Sequence, residues 1–166
     1  MKSRILGILL LLVALFTLVG TATASSNRNF RAHLNGGNQV NPVDTQAQGQ
    51  VILNFSKDGN QLHVKLNVAN IKDVIGAHLH LALEDANGPV VLSLIGNPIF
   101  IPDEEAITKN GTLFEGDFTK DDLMGPLDDE DEKTLEDLKA EIMAGRIYIN
   151  VHTTEFRGGE IRGQIR

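Results

Sequence analysis

No cysteine occurs anywhere in the 166 residues, although the N-terminus reads as an export signal. Disulfides, thiolate nucleophiles and thiolate metal sites are excluded, so stability must come from packing, strand pairing or a bound ion. Tryptophan is absent as well, and one Tyr with seven Phe leaves little from which to build a platform that stacks sugars or bases. Also missing are a G-x-S-x-G elbow, a phosphate-cradling Gly-rich loop between strand and helix, and an H-E-x-x-H helix. Acids are plentiful but cluster in loops, and nothing places two of them across a cleft as a paired-carboxylate hydrolase requires.

One apolar run stands out, Ile5 to Val19, preceded by Lys2 and Arg4 and followed by Ala22-Thr23-Ala24, a small-x-small cleavage pattern. The run is shorter than the ~20 residues a membrane-spanning helix needs, so residues 1–24 are expected to be a signal peptide cleaved after Ala24 rather than an anchor. Removing them leaves 142 residues, one domain spanning 25–166. The same removal takes two of the 15 basic residues, leaving 13 against 22 acidic ones and a formal charge of −9 with His neutral. Such a balance disfavours nucleic acid and anionic lipid faces and suits cationic partners or metal ions. The expected location is therefore outside the cytoplasm, secreted or in the cell envelope, with no span after cleavage.

Period-2 alternation dominates the rest and marks half-buried strands. Val51, Leu53 and Phe55 alternate with polar or outward residues. After Asp58-Gly59, a turn signal, Leu62, Val64, Leu66 and Val68 do the same, which predicts a hairpin. A third run sets Ala77, Leu79, Leu81 and Leu83 against His78, His80 and Ala82, and Asn87-Gly88-Pro89 turns the chain into Val90–Ile95. Further strands are expected at Phe30–Leu34, Gly111–Phe118, Arg146–Thr153 and Glu160–Ile165. The fold class is all-β, an antiparallel Greek-key sandwich or barrel of about eight strands.

Two stretches break the pattern. Ile99–Asn110, with Pro102 and three consecutive acids, predicts an irregular connection. Thr119-Lys120-Asp121-Asp122 has the capping-box form at a short helix start, and Leu135, Leu138 and Ile142 recur at helical spacing before Gly145, which predicts a helical insertion over 133–144 ahead of the penultimate strand. Between them, Asp128 to Glu132 is an unbroken acidic run and reads as a solvated loop, since a helix-loop-helix calcium site needs alternating ligands around a Gly. Asn54-Phe55-Ser56 and Asn110-Gly111-Thr112 match the glycosylation sequon, the first within an expected strand.

Of five histidines, the pair at 78 and 80 is the most informative. Residues two apart on a strand share a face and stand about 7 Å apart, close enough for both imidazoles to reach one ion. Imidazole suits zinc, copper, iron or nickel, and a third ligand must come from elsewhere in the fold. His152 is the expected third, on the face of its strand shared with Tyr148 and Asn150, and Glu84, Asp85, Glu155 or Glu160 are candidates to complete or orient the site. The competing reading is structural, with the histidines hydrogen-bonded to neighbours such as Asn150 and Thr153. His33 and His63 read as ordinary surface or packing residues.

Taken together, Val40-Asn41-Pro42 with Gly49, Ala77-His78-Leu79-His80, Asn87-Gly88-Pro89-Val90-Val91, Tyr148 to Thr153 and Gly159 to Ile165 resemble, in order and spacing, the CHRD domain, the repeat unit named after chordin. The resemblance runs from about Phe30 to Arg166. It implies an extracellular β module and does not extend to growth-factor binding, because chordin carries cysteine-rich modules that this chain lacks. A looser similarity links His78 and His80 to the copper-binding strand of copper/zinc superoxide dismutase. The departures there are a missing bridging histidine and zinc loop, no cysteine pair and no clear counterpart of the active-site arginine; Arg162 reads either as an anion guide or as a salt-bridge partner.

The leading functional expectation is an exported, non-catalytic binding module of the CHRD type, with an optional transition metal on His78, His80 and His152, copper or zinc where one is bound and otherwise no cofactor. The alternative is a copper- or zinc-dependent carrier or redox enzyme, and a third reading is purely structural. The other expected partner is an extracellular or envelope protein.

Overall fold

The computed structural model describes residues 27–96, 99–127 and 134–166. The expected signal segment 1–24 and the acidic run Asp128 to Glu132 lie outside them. Among the described residues there are seven strands: β1 (Asn29–Asn35), β2 (Gln48–Phe55), β3 (Leu62–Leu81), β4 (Val90–Ile95), β5 (Ile107–Phe118), β6 (Ile147–Thr153) and β7 (Ile161–Gln164). One helix, α1 (Leu135–Met143), precedes β6. All strand pairings are antiparallel.

Each of the eight expected stretches contributes to a strand, but two of them merge. Leu62–Val68 and Ala77–Leu81 are the two halves of β3, which runs on through Asn70 and Asp73 with φ of 57° and 51°. Asn and Asp tolerate this left-handed conformation better than other non-Gly residues. Their backbone N–H groups, turned out of the ladder, are taken by side chains: Asn70 donates to Asn110 Oδ1 at 2.7 Å and Asp73 to Thr108 Oγ1 at 3.0 Å. The chain bends here without ending the strand. Its first half pairs with β2 and β5, its second with β6 and β4.

The sheet closes because β7 returns to β1 at Asn35–Arg162, and Arg31 and Arg166 exchange backbone hydrogen bonds of 2.9 and 3.0 Å. The result is a barrel of β1, β2, β3, β6 and β7, with β4 and β5 added along β3. Inward positions of the strands, among them Leu34, Leu53, Leu66, Leu79, Ile149 and Ile161, are fully buried. Each such side chain stabilises the fold by about 1.5–3 kcal/mol relative to exposure.

The hairpin predicted at Asp58-Gly59 is present, with Phe55 opposite Leu62 and Gly59 at φ +74°. The capping box at Thr119 opens only a 3-10 turn, Lys120–Asp122. At α1, Asp137 Oδ2 accepts from the Thr134 N–H at 2.7 Å and its hydroxyl at 2.9 Å, while Leu135, Leu138 and Ile142 join the core. Gly145 ends the helix at φ +70°.

Ile99–Asn110 departs from expectation at one end. It contains a 3-10 turn, Asp103–Glu105, but β5 begins at Ile107 rather than Gly111. Those early residues pair with the bent part of β3 through Ile71–Lys109 and Val74–Ile107, where register shifts remove any clean alternation. Among the described residues no helix is long and apolar enough to cross a membrane.

Candidate metal centre

The β3–β6 ladder sets the site. Across it Gly76 stands opposite His152, His78 opposite Asn150, and His80 opposite Tyr148. Directly paired residues point to the same side of a sheet, so period two gathers His78, His80 and His152 on one face. The expected triad is therefore assembled from two neighbouring strands.

One ring nitrogen from each histidine lies within 4.8 Å of the corresponding atoms of the other two. Ring centroids are 5.7 Å apart for His78 and His80, 5.0 Å for His78 and His152, and 5.9 Å for His80 and His152. His78 is fully buried, and His80 and His152 are 8% and 5% exposed.

Each ring is fixed by a backbone carbonyl. His78 Nε2 donates to Ile99 O at 2.5 Å, His80 Nδ1 to Gly88 O at 2.9 Å and His152 Nδ1 to Arg157 O at 2.9 Å. A carbonyl can only accept, so the nitrogen facing it carries the proton and the other nitrogen presents its lone pair. Those other nitrogens, His78 Nδ1, His80 Nε2 and His152 Nε2, are buried and have no hydrogen-bond partner among the described residues.

Electrostatics keep the rings neutral. Burial lowers the pKa of all three, to about 4 for His80 and about 3 for His152. Repulsion from His78 adds to the effect on both His80 and His152, and the carbonyl hydrogen bonds oppose it. At neutral pH the cluster therefore offers three uncharged donors, the form a metal ion requires.

Around the triad the walls are aromatic. The Phe100 ring lies 5.9 Å from His78 and 5.3 Å from His152, and Tyr148 stacks on His80 at 4.9 Å with 7° between planes. Over Tyr148, 3.5 Å from its centroid, sits the guanidinium of Arg162. Arg162 is 1% exposed and donates to Leu83 O, Ala86 O and Asn87 Oδ1 at 2.9–3.0 Å. The Tyr148 hydroxyl accepts from the Gly88 N–H at 3.2 Å, so one turn, Asn87-Gly88, anchors Arg162, Tyr148 and His80 together.

Several expectations for the surroundings are corrected. None of the four acids joins the converging ligand atoms, which come from the three histidines alone among the described residues. Glu160 is held by the hydroxyls of Thr45 and Thr153 at 2.7 and 2.9 Å, Glu84 pairs with Arg166 at 2.6 Å, and Asp85 and Glu155 lie outside the cluster. Asn150 and Thr153 do not bond the histidines: Asn150 accepts from Gln39 and donates to Gly158 O, and Thr153 serves Glu160. Nor does Arg162 form a salt bridge among the described residues; its hydrogen-bond partners there are neutral. His63 is half-exposed beside Glu115 and Asp117, and His33 lies outside the site on β1. Sequence reasoning missed Phe100, the stack on His80 and the three carbonyl anchors. The nearest signal was Gly76, placed two residues before His78 in a strand, where a missing side chain suggests close approach by another segment.

The CHRD domain family model matches residues 30–165. No curated protein and no solved structure matches the chain. The matched span contains all but the first residue of the barrel, with all three histidines and their anchors, and the chain belongs to the CHRD domain family.

Proposed function

We propose that the protein is an exported CHRD-type binding module that holds one transition metal ion, copper or zinc, on His78, His80 and His152. The observation that carries this reading is the partition of each ring: one nitrogen bound to a carbonyl, the other buried, unpartnered and turned toward its counterparts. A buried acceptor without a partner costs about 1–3 kcal/mol, and three lone pairs in one place repel one another. An ion removes both penalties. Carbonyl anchors are also the support that metal-ligating histidines characteristically use to fix tautomer and ring orientation.

The bound ion would supply charge, Lewis acidity or an electron according to its identity. The chain's own residues hold three neutral donors in place and line the site with the rings of Phe100 and Tyr148. Those aromatic walls and the low exposure of His80 and His152 favour carriage or structural retention over turnover, which needs an accessible coordination position. The acidic exterior suits a cationic extracellular or envelope partner.

Metal analysis of untagged protein tests the reading. One equivalent of copper or zinc is expected, lost in both His78→Ala and His152→Ala; protein that remains metal-free under excess of either ion contradicts it. A copper-loaded sample that turns over superoxide or another redox substrate would instead support the enzyme alternative.

A further inference from the structure

We infer that the histidine site selects a monovalent ion, Cu(I), over divalent ions, because three neutral imidazoles with no carboxylate among them stand beside the buried guanidinium of Arg162 and an aromatic wall. This rests on the metal-site reading above and goes beyond it by assigning the charge and coordination of the ion.

The first argument is electrostatic. Arg162, Tyr148 and His80 form a stack in which the cation lies 3.5 Å over the phenol and the phenol 4.9 Å from the imidazole. The guanidinium bonds two carbonyls and an amide oxygen, so no contacting carboxylate cancels its charge. Glu84 and Asp85 are near enough to be felt, but they lie on the exposed loop and Glu84 is bonded to Arg166. Across one phenol ring the guanidinium faces the His80 imidazole and repels positive charge placed there. An ion bound at His80 meets the same repulsion in proportion to its own charge, so a dication is penalised twice as much as a monocation. Glu160, the buried acid of this region, is committed to Thr45 and Thr153.

The second argument is coordination number. Zinc with three protein ligands takes a fourth, ordinarily water, which also balances its charge as hydroxide. Among the described residues, the side chains packed on the rings include Phe100 and a Tyr148 whose hydroxyl is turned to the Gly88 N–H. Cu(I) is stable with three nitrogen donors in a plane and needs no water. Charge and geometry point the same way.

The test is anaerobic competition of Cu(I) and Zn(II) for the untagged chain, each buffered with a chromophoric chelator. The wild type is expected to bind Cu(I) at one equivalent and to keep it against excess Zn(II). Arg162→Gln is expected to narrow the Cu(I)/Zn(II) affinity ratio by roughly tenfold. Asn87→Asp checks the same point without emptying a buried position, since it places a carboxylate against the guanidinium at an exposed site; it should narrow the ratio in the same direction. Zn(II) binding as tight as Cu(I) in the wild type overturns the monovalent assignment and leaves the site standing. An unchanged ratio in folded Arg162→Gln or in Asn87→Asp also overturns it. Failure of the wild type to bind either ion removes the site itself.

Discussion

Gly76 faces His152 across the β3–β6 ladder, and the side chain it lacks is what allows Ile99 and Phe100 to lie over His78. A Cβ at position 76 would stand 2.8 Å from both Ile99 O and Phe100 Cδ1 and 2.9 Å from His78 Cε1. One of these groups is backbone and another is the ring that presents a ligand nitrogen. Gly76→Ala is therefore expected to cost about 1–3 kcal/mol in urea unfolding and to weaken metal binding at the same time. Unchanged stability and affinity would show that the Ile99–Phe100 segment is not held as described.

The pH dependence of the metal-free protein follows from the two large shifts. His80 and His152 take up protons in the unfolded chain near pH 6.5 but in the folded one only near 4 and 3. Between those limits the unfolded state binds more protons, so stability falls as pH drops below about 6.5 and the loss levels off near the folded values. Each histidine contributes a slope of about 1.4 kcal/mol per pH unit inside that window. Denaturant titrations from pH 8 to 4 check this, and His80→Gln should reduce the slope. A wild-type profile flat through this range would mean that the rings are not desolvated.

Tyr148 separates packing from hydrogen bonding. Tyr148→Phe keeps the ring between His80 and Arg162 and loses only the acceptor for the Gly88 N–H, a cost of about 0.5–1.5 kcal/mol. Tyr148→Ala removes a fully buried ring and should cost about 3–5 kcal/mol. Metal affinity is expected to follow the same order, because His80 loses its stacking partner only in the second variant.

Leu138 is the complementary case. It is fully buried on α1, in the hydrophobic core and outside the histidine cluster. Leu138→Ala should lower stability by about 2–5 kcal/mol while metal stoichiometry at temperatures where the variant is folded stays at the wild-type value. Loss of metal from folded Leu138→Ala would tie the site to the core more closely than its contacts suggest.

The strands were legible because one residue in two is buried along β1, β2 and the first half of β3, and alternation of that kind survives in sequence. The same property exposed the triad's logic: His78 and His80 share a face by spacing alone, and His152 shares a face with Tyr148 and Asn150. Continuity of β3 was hidden because its bend depends on Asn110 and Thr108, residues of a distant strand that accept the turned-out N–H groups of Asn70 and Asp73. The ring anchors were hidden for a related reason. They are carbonyls of Ile99, Gly88 and Arg157, and a backbone carbonyl carries no residue signature. The neutral partners of Arg162, where an anion guide or a salt bridge was expected, were hidden because its burial arises from the return of the Asn87 turn over β7, a contact between residues far apart in the chain.

Direct observation of the ligands is the decisive measurement. X-ray absorption at the metal edge of untagged protein loaded with one equivalent of copper should show three nitrogen donors with the multiple-scattering pattern of imidazole, reduced to two in His152→Ala. A first shell dominated by oxygen, or one unchanged by loss of His152, would contradict the assignment of the ion to His78, His80 and His152.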